Sequence, residues 1–409
     1  MEPPVSVTGR LPEGIPAAEV KQVCSEGKEK NKMEFSGIKK LGFGMMRLPL
    51  LDSDDPKSID LDQLKEMVDM YISRGFCYFD TAYPYHEQTS EEALRKCVVE
   101  RYPREQFLLA DKMPIIRVKS TEDYSRYFAE QLERCGVDYF DVYLLHNMGR
   151  DRYINTKAYG GFEFISRIKE EGKARKIGFS YHDDAQTLDQ ILTEHPEVDV
   201  VQLQINYLDW EGAVAQSRRC YETAVRHGKD VIVMEPVKGG KLADLQGAAA
   251  ELFGGFYQDR EQIPSPASLA VRFAASLEHV KVVLSGMSSL AQMKDNTGYM
   301  EDFNALSSAE CELTQSIADA LRKSIRVQCT NCRYCMEVCP KNIAVPDYFG
   351  LLNLHAVTGQ KTNMYYQRYS MNHGKASECI QCGQCERNCP QHLPIREVLK
   401  EFAALYENN

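Results

Sequence analysis

The chain has 409 residues, enough for one full enzyme domain and a smaller appended domain. Hydrophobic residues make up 43% of the sequence, as in an ordinary globular protein. The net charge of -10 at pH 7 leaves no basic excess to neutralise phosphates, which argues against nucleic acid as a main partner. No uninterrupted apolar run reaches the length of a membrane span, and the N-terminus lacks the apolar core of a signal peptide. We therefore expect a cytoplasmic protein.

Four segments follow from the composition along the chain. Residues 1–33 are rich in Pro, Gly, Glu and Lys without sustained apolar periodicity, which predicts a flexible N-terminal extension. Residues 34–306 alternate short apolar runs with amphipathic patterns, and residues 307–326 predict a linking helix. Residues 327–409 contain two closely spaced groups of cysteines and predict a separate C-terminal domain.

The segment 34–306 has the rhythm of strands and helices expected of an α/β protein with a (β/α)8 TIM barrel. The predicted strands are 41–47, 77–81, 107–112, 140–146, 176–180, 200–204, 231–235 and 281–285. The predicted helices are 61–73, 91–99, 125–134, 162–171, 185–193, 212–226 and 267–276. Eight strands, each with a helix or room for one, in about 250 residues match the size of such a barrel. The alternative is a doubly wound open sheet, but the sequence LGFGMM at 41–46 lacks the third glycine of its dinucleotide-binding motif.

Polar residues with reactive side chains follow three successive predicted strands. Asp80 and Tyr85 follow the second strand, Lys112 ends the third and His146 ends the fourth. Because barrels carry their chemistry at the C-terminal ends of the strands, we expect these four side chains to converge. A neighbouring ammonium lowers the pKa of a tyrosine, a carboxylate holds the ammonium, and an imidazole orients a carbonyl oxygen. The group predicts a proton-donor site, although each residue alone also fits a structural role, as an ion pair, a loop aromatic or a strand-end histidine.

One cysteine spacing occurs twice near the C-terminus, each time followed by proline. The first run comprises Cys329, Cys332, Cys335 and Cys339. The second run comprises Cys379, Cys382, Cys385 and Cys389. This is the C-x2-C-x2-C-x3-C-P spacing, in which three thiolates bind one 4Fe-4S cluster and the fourth binds the other. We therefore predict two clusters, the first three cysteines of each run sharing a cluster with the last cysteine of the other run.

Zinc and disulfides are the alternatives for these cysteines. Zinc ribbons usually place two cysteine pairs far apart rather than three cysteines at short successive intervals. The other cysteines are scattered singly through the chain, which argues against a disulfide framework.

The sequence around the four polar residues resembles a known catalytic group. The segment 79–85, the step Asp111-Lys112 and the run 143–146 resemble the Asp/Tyr/Lys/His tetrad of the aldo-keto reductases, which are (β/α)8 barrels that use nicotinamide. The resemblance covers about residues 41–296, and with the twin cysteine motif it extends to the ferredoxin-containing branch of that family. It implies that Tyr85 is the general acid toward a carbonyl oxygen, with a pKa lowered by Lys112, and that Asp80 pairs with Lys112. His146 is then the residue that positions the substrate, while hydride passes from the reduced nicotinamide, NADPH or NADH, to the carbonyl carbon.

The resemblance also implies cofactor contacts at the ends of later strands. Ser180 and Gln202 match the family's carboxamide ligands, and the loops after strands seven and eight lie where barrels bind phosphate. The implied cofactor-binding residues are Ser180, Gln202, Lys238, Gly239, Lys241, Ser285, Gly286, Gln292 and Asn296. Gln292 stands where an arginine often binds the 2′-phosphate, so the choice between NADP and NAD is open, with a lean toward NADP.

The spacer between the cysteine runs, 341–378, is long for a compact bacterial ferredoxin and has helical patterns at 346–354 and 362–369. We therefore predict a mostly helical ferredoxin-like domain. Substrate specificity is expected in the loops 147–160, 207–212 and 242–264, the third of which is long enough to form a lid.

Three functions remain open at this point. The first is a carbonyl reductase whose clusters relay electrons to or from a partner such as a ferredoxin. The second is the same reductase with structural or oxygen-sensing clusters, and the third is a non-catalytic sensor of nicotinamide state. A sensor does not need an acid at Tyr85, so the tetrad disfavours the third. A hydride carries two electrons whereas a cluster accepts one, so a flavin would be needed to bridge them. The sequence has no convincing flavin signature, although loops after strands seven and eight hold a flavin phosphate in other barrels, so flavin binding stays open.

Overall fold

The computed structural model describes residues 35, 37–212, 215–358, 361 and 363–407. The predicted extension at residues 1–33 lies outside the described residues.

Eight parallel strands close into a barrel, each pairing with its neighbours in chain order and the first with the eighth. The strands are β1 Leu41–Gly44, β2 Tyr78–Asp80, β3 Leu108–Met113, β4 Phe140–Met148, β5 Ala174–Tyr181, β6 Val200–Gln204, β7 Asp230–Met234 and β8 Val280–Ser285. All eight predicted strands are present. The (β/α)8 barrel is thus confirmed, and the doubly wound sheet is excluded.

Alternation along the strands separates two apolar layers. Tyr78, Ala110 and Val142 belong to a buried cluster that fills the barrel interior. Their strand neighbours, such as Phe79 and Leu109, belong to the larger core that packs between strands and helices. This separation follows from the two-residue period of a strand, which sends successive side chains to opposite faces.

Helices follow the strands around the outside of the barrel. They are α1 Leu61–Ser73, α2 Ser90–Leu94, α3 Thr121–Cys135, α4 Arg150–Ala158, α5 Gly161–Glu170, α6 Ala185–Glu194, α7 Ser217–Arg226, α8 Gly247–Tyr257, α9 Pro266–Ala275 and α10 Leu290–Glu301. Short 3-10 turns cover Tyr85–Gln88, Arg104–Gln106, Ile115–Arg117, Lys238–Gly240 and Ala376–Glu378, and a π-helical turn, Arg95–Val99, continues α2. Among the described residues, we find no helix that is both long and apolar enough to cross a membrane.

Local sequence signals explain several of the helix ends. Helix α1 begins after Asp60, whose carboxylate accepts the backbone N–H of Gln63 at 3.0 Å. Helix α3 ends at Gly136, which has a φ of 68°, a left-handed conformation that glycine adopts without strain.

Helix α8 takes up the middle of the predicted lid segment, 242–264, with irregular stretches on either side. Phe253 and Tyr257 of α8 are buried in one cluster with Leu313, Ile317 and Leu321 of helix α11 (Ser308–Ser324), which follows α10. This helix corresponds to the predicted linking helix at 307–326. Because α8 packs on α11, the segment is held in place by a core of its own.

Glu310 anchors α11 to the barrel. Its carboxylate accepts hydrogen bonds from Arg272 of α9 (2.9 Å), Tyr257 of α8 (3.0 Å) and the backbone N–H of Ser307 (2.9 Å). The residue is 6% exposed. Although burial opposes it, hydrogen bonding from Arg272 and Ser307 lowers the pKa of Glu310 to about 2, so the side chain is a carboxylate at neutral pH.

The C-terminal domain is helical, as predicted. Its helices are α12 Tyr334–Glu337, α13 Val345–Thr358, α14 Asn363–Asn372, α15 Gln384–Arg387 and α16 Ile395–Tyr406. Stacked aromatic rings form its core: Phe402 lies 4.8 Å from Tyr348 and 4.5 Å from Tyr406, measured between ring centroids. Tyr366 joins this core, whereas Tyr365 is exposed.

A variant at Glu310 tests the anchoring of α11. Because the Glu310→Gln change leaves Arg272 without its anionic partner, we expect a loss of about 1–3 kcal/mol in stability at pH 7. The measurement is amide hydrogen exchange across residues 308–324, which should become faster. Glu312→Gln, a change on an exposed residue of the same helix, is the matched control. Equal exchange rates in the two variants would contradict the anchoring role.

Candidate active site and cluster sites

Polar residues replace apolar ones at the C-terminal end of the barrel interior. On three strands the residue two positions beyond an interior apolar side chain is polar: Asp80 follows Tyr78, Lys112 follows Ala110, and Gln202 follows Val200. His146 stands two positions beyond Leu144 in the same way. Since a strand repeats every two residues, the same face that fills the barrel core presents this polar layer at its mouth.

Lys112 is the centre of the layer and is fully buried. Its ammonium donates to Asp80 Oδ1 (2.5 Å), to the carbonyl of Thr81 (2.7 Å) and to the Tyr85 hydroxyl (3.4 Å). The three donors of the ammonium are therefore all used. The second carboxylate oxygen of Asp80 accepts from Gln202 Nε2 at 3.0 Å. The expected pairing of Asp80 with Lys112, and the approach of Lys112 to Tyr85, are present in the structure.

A tight turn anchored by His86 places Tyr85 over Lys112. His86 and Glu87 both have a φ of 49°. His86 Nε2 accepts the backbone N–H of Leu48 (3.0 Å), so its Nδ1 carries the proton and donates to the carbonyl of Pro56 (2.8 Å). The imidazole thus ties the turn to the loop that follows β1.

Burial keeps the two candidate proton-handling groups neutral. Burial, with the charge of Asp80 adding to it, raises the pKa of Tyr85 well above its usual value. The expectation that Lys112 lowers this pKa is therefore wrong for this environment, because Asp80 compensates the ammonium and the phenol is desolvated. Burial, with the charge of Lys112, lowers the pKa of His146 well below its usual value. At neutral pH the site presents a phenol and a neutral imidazole.

The C-terminal domain contributes Tyr334 to the same site. Its hydroxyl lies 3.1 Å from His146 Nε2. Tyr85 and Tyr334 both meet the His146 ring edge to face, at centroid distances of 5.8 and 5.9 Å. Sequence reasoning missed Tyr334, since it was assigned no role beyond its place in the cysteine run.

A cavity of about 560 Å³ opens beside this group, between the mouth of the barrel and the C-terminal domain. It is lined by Asp80, Tyr85 and His146, and by Cys332, Tyr334 and Gln391 from the C-terminal domain. Six of the nine implied cofactor residues line it: Gln202, Gly239, Ser285, Gly286, Gln292 and Asn296. The cavity therefore joins the tetrad to the loops after β7 and β8.

The other three implied cofactor residues have different partners. Ser180 Oγ accepts the backbone N–H of Asn147 at 2.7 Å. Lys238 is 1% exposed and pairs with both oxygens of Asp209 at 2.7 Å, and Lys241 donates to the carbonyl of Val327 at 3.5 Å. The Asp209 carboxylate thus neutralises Lys238, whereas Lys241 makes one long hydrogen bond to a backbone carbonyl, and neither lysine lines the cavity.

Two charged residues outside the implied set of cofactor contacts, Arg47 and Glu235, also line the cavity. Arg47, just beyond β1, reaches across to donate to the carbonyl of Thr330 at 3.0 Å. Glu235, beyond β7, has a φ of 58°, and its Oε2 is buried without a hydrogen-bond partner among the described residues. A positive φ at a non-glycine residue is a feature that a sequence does not show.

Gly239 was expected to approach phosphate, but it accommodates the C-terminal domain. Its φ is 65°, and a Cβ built on it would lie 2.3 Å from the carbonyl oxygen of Thr330. A larger residue would therefore force the two domains apart.

Each predicted set of four cysteines lines one cavity of the C-terminal domain. One cavity is lined by Cys329, Cys332, Cys335 and Cys389. The other is lined by Cys339, Cys379, Cys382 and Cys385. Their other walls are apolar side chains such as Phe349 and Leu399, and backbone N–H groups point at two of the sulfurs, at 3.4 Å for Cys329 and 3.5 Å for Cys339. Converging thiols with N–H···S donors in an apolar shell fit a 4Fe-4S cluster.

The two cysteine cavities differ in their surroundings. Cys332 and Gln391 line both the first cysteine cavity and the large cavity of the barrel. In the second set Cys382 is exposed, and its neighbour Ile380 is 57% exposed. One set thus faces the barrel site, and the other approaches the surface.

Single cysteine variants test the crosswise sets. Removing one ligand should destabilise only its own cluster, so Cys389→Ala should lower the iron content from about eight toward about four per chain. Its EPR spectrum should match that of Cys332→Ala and differ from that of Cys339→Ala. Cys311→Ala, at an exposed cysteine outside both sets, is the control. Matching spectra for Cys389→Ala and Cys339→Ala would contradict the assignment.

Two family models match the chain. The aldo/keto reductase family model matches residues 40–319, and the 4Fe-4S dicluster domain model matches residues 328–393. The first match covers the barrel with its tetrad, and the second covers both cysteine runs.

Curated relatives and solved structures give the same fold. The chain is 22% identical over 255 residues to a 9,11-endoperoxide prostaglandin H2 reductase of Trypanosoma cruzi, covering 61% of this chain and 82% of that protein. It is 23% identical over 329 residues to an NADH-specific methylglyoxal reductase of Escherichia coli, covering 70% of this chain and 96% of that protein. Among solved structures, the holo form of an aldo-keto reductase from Bacillus halodurans has a TM-score of 0.55 at 22% identity, covering 68% of this chain and 91% of that one.

A Klebsiella pneumoniae aldo/keto reductase in complex with NADP and acetate has a TM-score of 0.54 at 20% identity, covering 69% of this chain and 92% of that chain. With the family model matched over the whole barrel, and the dicluster model over the C-terminal domain, the chain belongs to the aldo/keto reductase family of oxidoreductases and carries a C-terminal 4Fe-4S dicluster domain.

Proposed function

We propose that this protein interconverts a carbonyl and an alcohol by hydride transfer with NADPH or NADH. The observation that carries the proposal is the Tyr85–Lys112–Asp80 group, joined by contacts of 3.4 and 2.5 Å at the wall of a 560 Å³ cavity. A solved family member that binds NADP in the same fold supports the nucleotide as cofactor. The size of the cavity falls within the range of small-molecule and cofactor sites.

In this proposal the nicotinamide supplies the hydride, and the side chains handle the proton. Tyr85 donates its phenolic proton to the oxygen of the substrate as negative charge develops there. The raised pKa keeps Tyr85 protonated until that moment, and the Lys112 ammonium stabilises the phenolate that remains. His146, neutral at its place beside Tyr85, donates a second hydrogen bond to the same oxygen.

The residues that line the cavity support nucleotide binding, although the charged residues among them differ from those that the sequence implied. Arg47 is the cation placed to meet phosphate, since Asp209 already neutralises Lys238. Gln292 and Asn296, which the family resemblance assigns to adenine contacts, also line the cavity. The side chain of Asn296 is held by Ser285 (3.0 Å) and Tyr299 (2.6 Å), which fixes that wall.

Replacing Tyr85 tests the proton donor. Tyr85→Phe keeps the ring and removes the hydroxyl, so carbonyl reduction should fall by about 10²–10⁴-fold while nucleotide binding is retained. The measurement is kcat/KM for a carbonyl substrate, with nucleotide affinity determined in parallel. Tyr159→Phe, a partly buried tyrosine of the barrel periphery, is the control. Unchanged turnover in Tyr85→Phe would rule out this mechanism.

We further propose that the clusters relay electrons between the barrel site and a protein partner such as a ferredoxin. Cys332 forms part of the wall of both the large cavity and the first cysteine cavity, so a cluster there would lie beside a cofactor in the barrel. The exposed Cys382 and Ile380 give the second set an outlet at the surface. A hydride brings two electrons, and two clusters accept one each, so single-electron transfer between them needs a flavin or an equivalent carrier.

An anaerobic titration distinguishes this relay from clusters with a structural or oxygen-sensing role. NADPH or NADH is added to the cluster-loaded protein, and visible absorbance and EPR are followed. Bleaching with a reduced-cluster EPR signal is the expected result, and it would direct the search to a flavin. If the protein reduces a carbonyl while the cluster absorbance and EPR signal do not change, the relay is refuted and the barrel alone is the catalyst.

The non-catalytic sensor has less support. A sensor of nicotinamide state has no need of a buried ammonium aimed at a phenol, and such a group is present here at Lys112 and Tyr85.

A further inference from the structure

The hydroxyl of Tyr334 occupies the place where the tetrad would receive a carbonyl oxygen. An oxygen accepting hydrogen bonds from Tyr85 and His146 must lie within hydrogen-bonding distance of both. Tyr334 lies at such a place, because its hydroxyl is 3.1 Å from His146 Nε2 and its ring and that of Tyr85 both meet the His146 ring edge to face. The residue is 9% exposed, so it is built into the site and does not lie loosely over it.

Tyr334 also divides the cleft between the domains into two spaces. On one side is the 560 Å³ cavity, and on the other is a small pocket lined by Pro84, Ile115, Arg117 and Arg152. Tyr334 and His146 line both spaces. Removing the Tyr334 ring would therefore join the small pocket to the cofactor cavity directly above the tetrad.

Contacts across the domain boundary hold Tyr334 in this position. Its backbone carbonyl accepts Asn388 Nδ2 at 2.5 Å, and Asn388 Oδ1 accepts Arg152 Nη2 from the barrel at 2.5 Å. In sequence Tyr334 lies between Cys332 and Cys335, two members of the first cysteine set. The backbone of this segment is thereby tied to the barrel on one side and to the cysteine cavity on the other.

We propose that Tyr334 is a specificity-determining residue that the dicluster domain contributes to the barrel site. The Tyr334 hydroxyl must move away from Tyr85 and His146 before the oxygen of a carbonyl substrate can bind to them. The Tyr334 ring limits the substrate to a small carbonyl compound that fits beside it. This inference rests on the proposed carbonyl chemistry and adds to it the class of substrate. The preference for small over bulky carbonyl substrates therefore depends on the docked dicluster domain and not on the barrel loops alone.

Two variants separate the hydroxyl from the ring. Tyr334→Ala should raise kcat/KM for a bulky aldehyde, 4-nitrobenzaldehyde, at least tenfold more than it raises kcat/KM for methylglyoxal. Tyr334→Phe should raise kcat/KM for methylglyoxal, because no hydroxyl competes for Tyr85 and His146, and should still exclude the bulky aldehyde. An unchanged ratio of the two substrates in Tyr334→Ala would overturn the proposal.

A binding measurement keeps this inference separate from the proposed reaction. Benzoate places a carboxylate oxygen between Tyr85 and His146 without any hydride transfer, and calorimetry should show at least tenfold tighter binding to Tyr334→Ala than to the unaltered protein. If no variant reduces any carbonyl, the proposed reaction fails, but tighter benzoate binding would still support the role of Tyr334. Equal benzoate affinity would overturn it whatever the turnover.

Iron content and visible absorbance report whether the dicluster domain is intact in each variant. If Tyr334→Ala loses iron, Tyr334→Phe decides the question, since it retains the ring and its packing. An iron-loaded Tyr334→Phe protein with unchanged methylglyoxal kinetics would then refute the proposal.

Discussion

The ammonium of Lys112 has no access to water, and the rest of the candidate site is arranged around that fact. A buried charge is tolerated only when it is paired and its hydrogen bonds are made. Asp80 supplies the counter-charge, the Thr81 carbonyl takes a second donor, and Tyr85 takes the third. Gln202 completes the shell by donating to Asp80, so the ends of three strands, β2, β3 and β6, are held in one network. The hydroxyl of Tyr85 is thus positioned by the need to satisfy a lysine.

A second buried lysine, Lys238, holds the domain interface together by its hydrogen bonds, as Lys112 holds the candidate site together. Lys238 pairs with Asp209 and donates a hydrogen bond to Gln391 of the C-terminal domain. Gln204 donates to both Asp209 and Gln391. Gln204 and Gln391 exchange amide hydrogen bonds of 3.1 and 2.7 Å. Since all four residues are less than 10% exposed, separating the domains would leave buried polar groups unpaired. The dicluster domain is therefore a fixed wall of the barrel cavity.

That wall changes what the barrel can do. In an open barrel the substrate would approach the tetrad from solvent and be selected by loops. Here the segment 242–264 contains helix α8, which packs on α11. Tyr334 and the segment around Cys332 cover the approach to the tetrad. The same segment brings the first cysteine set to the cavity wall, while Cys382 of the second set is exposed. The cover that restricts the substrate is thus also the element that would carry electrons away from the site.

The patterns that the sequence determined are local or periodic. The eight strands, the placing of Asp80, Tyr85, Lys112 and His146 at their ends, and the crosswise cysteine sets all follow from a two-residue strand period or from fixed ligand spacings. What only the tertiary structure decided depends on pairs distant in the chain: Tyr334 on His146, Asp209 on Lys238, Thr330 against Gly239, and the burial that raises the pKa of Tyr85 instead of lowering it. Such contacts arise when one domain covers another, and neither hydrophobic periodicity nor residue spacing encodes which surface is covered. A lysine or glycine that matches a phosphate loop in sequence can therefore serve the interface in the folded protein.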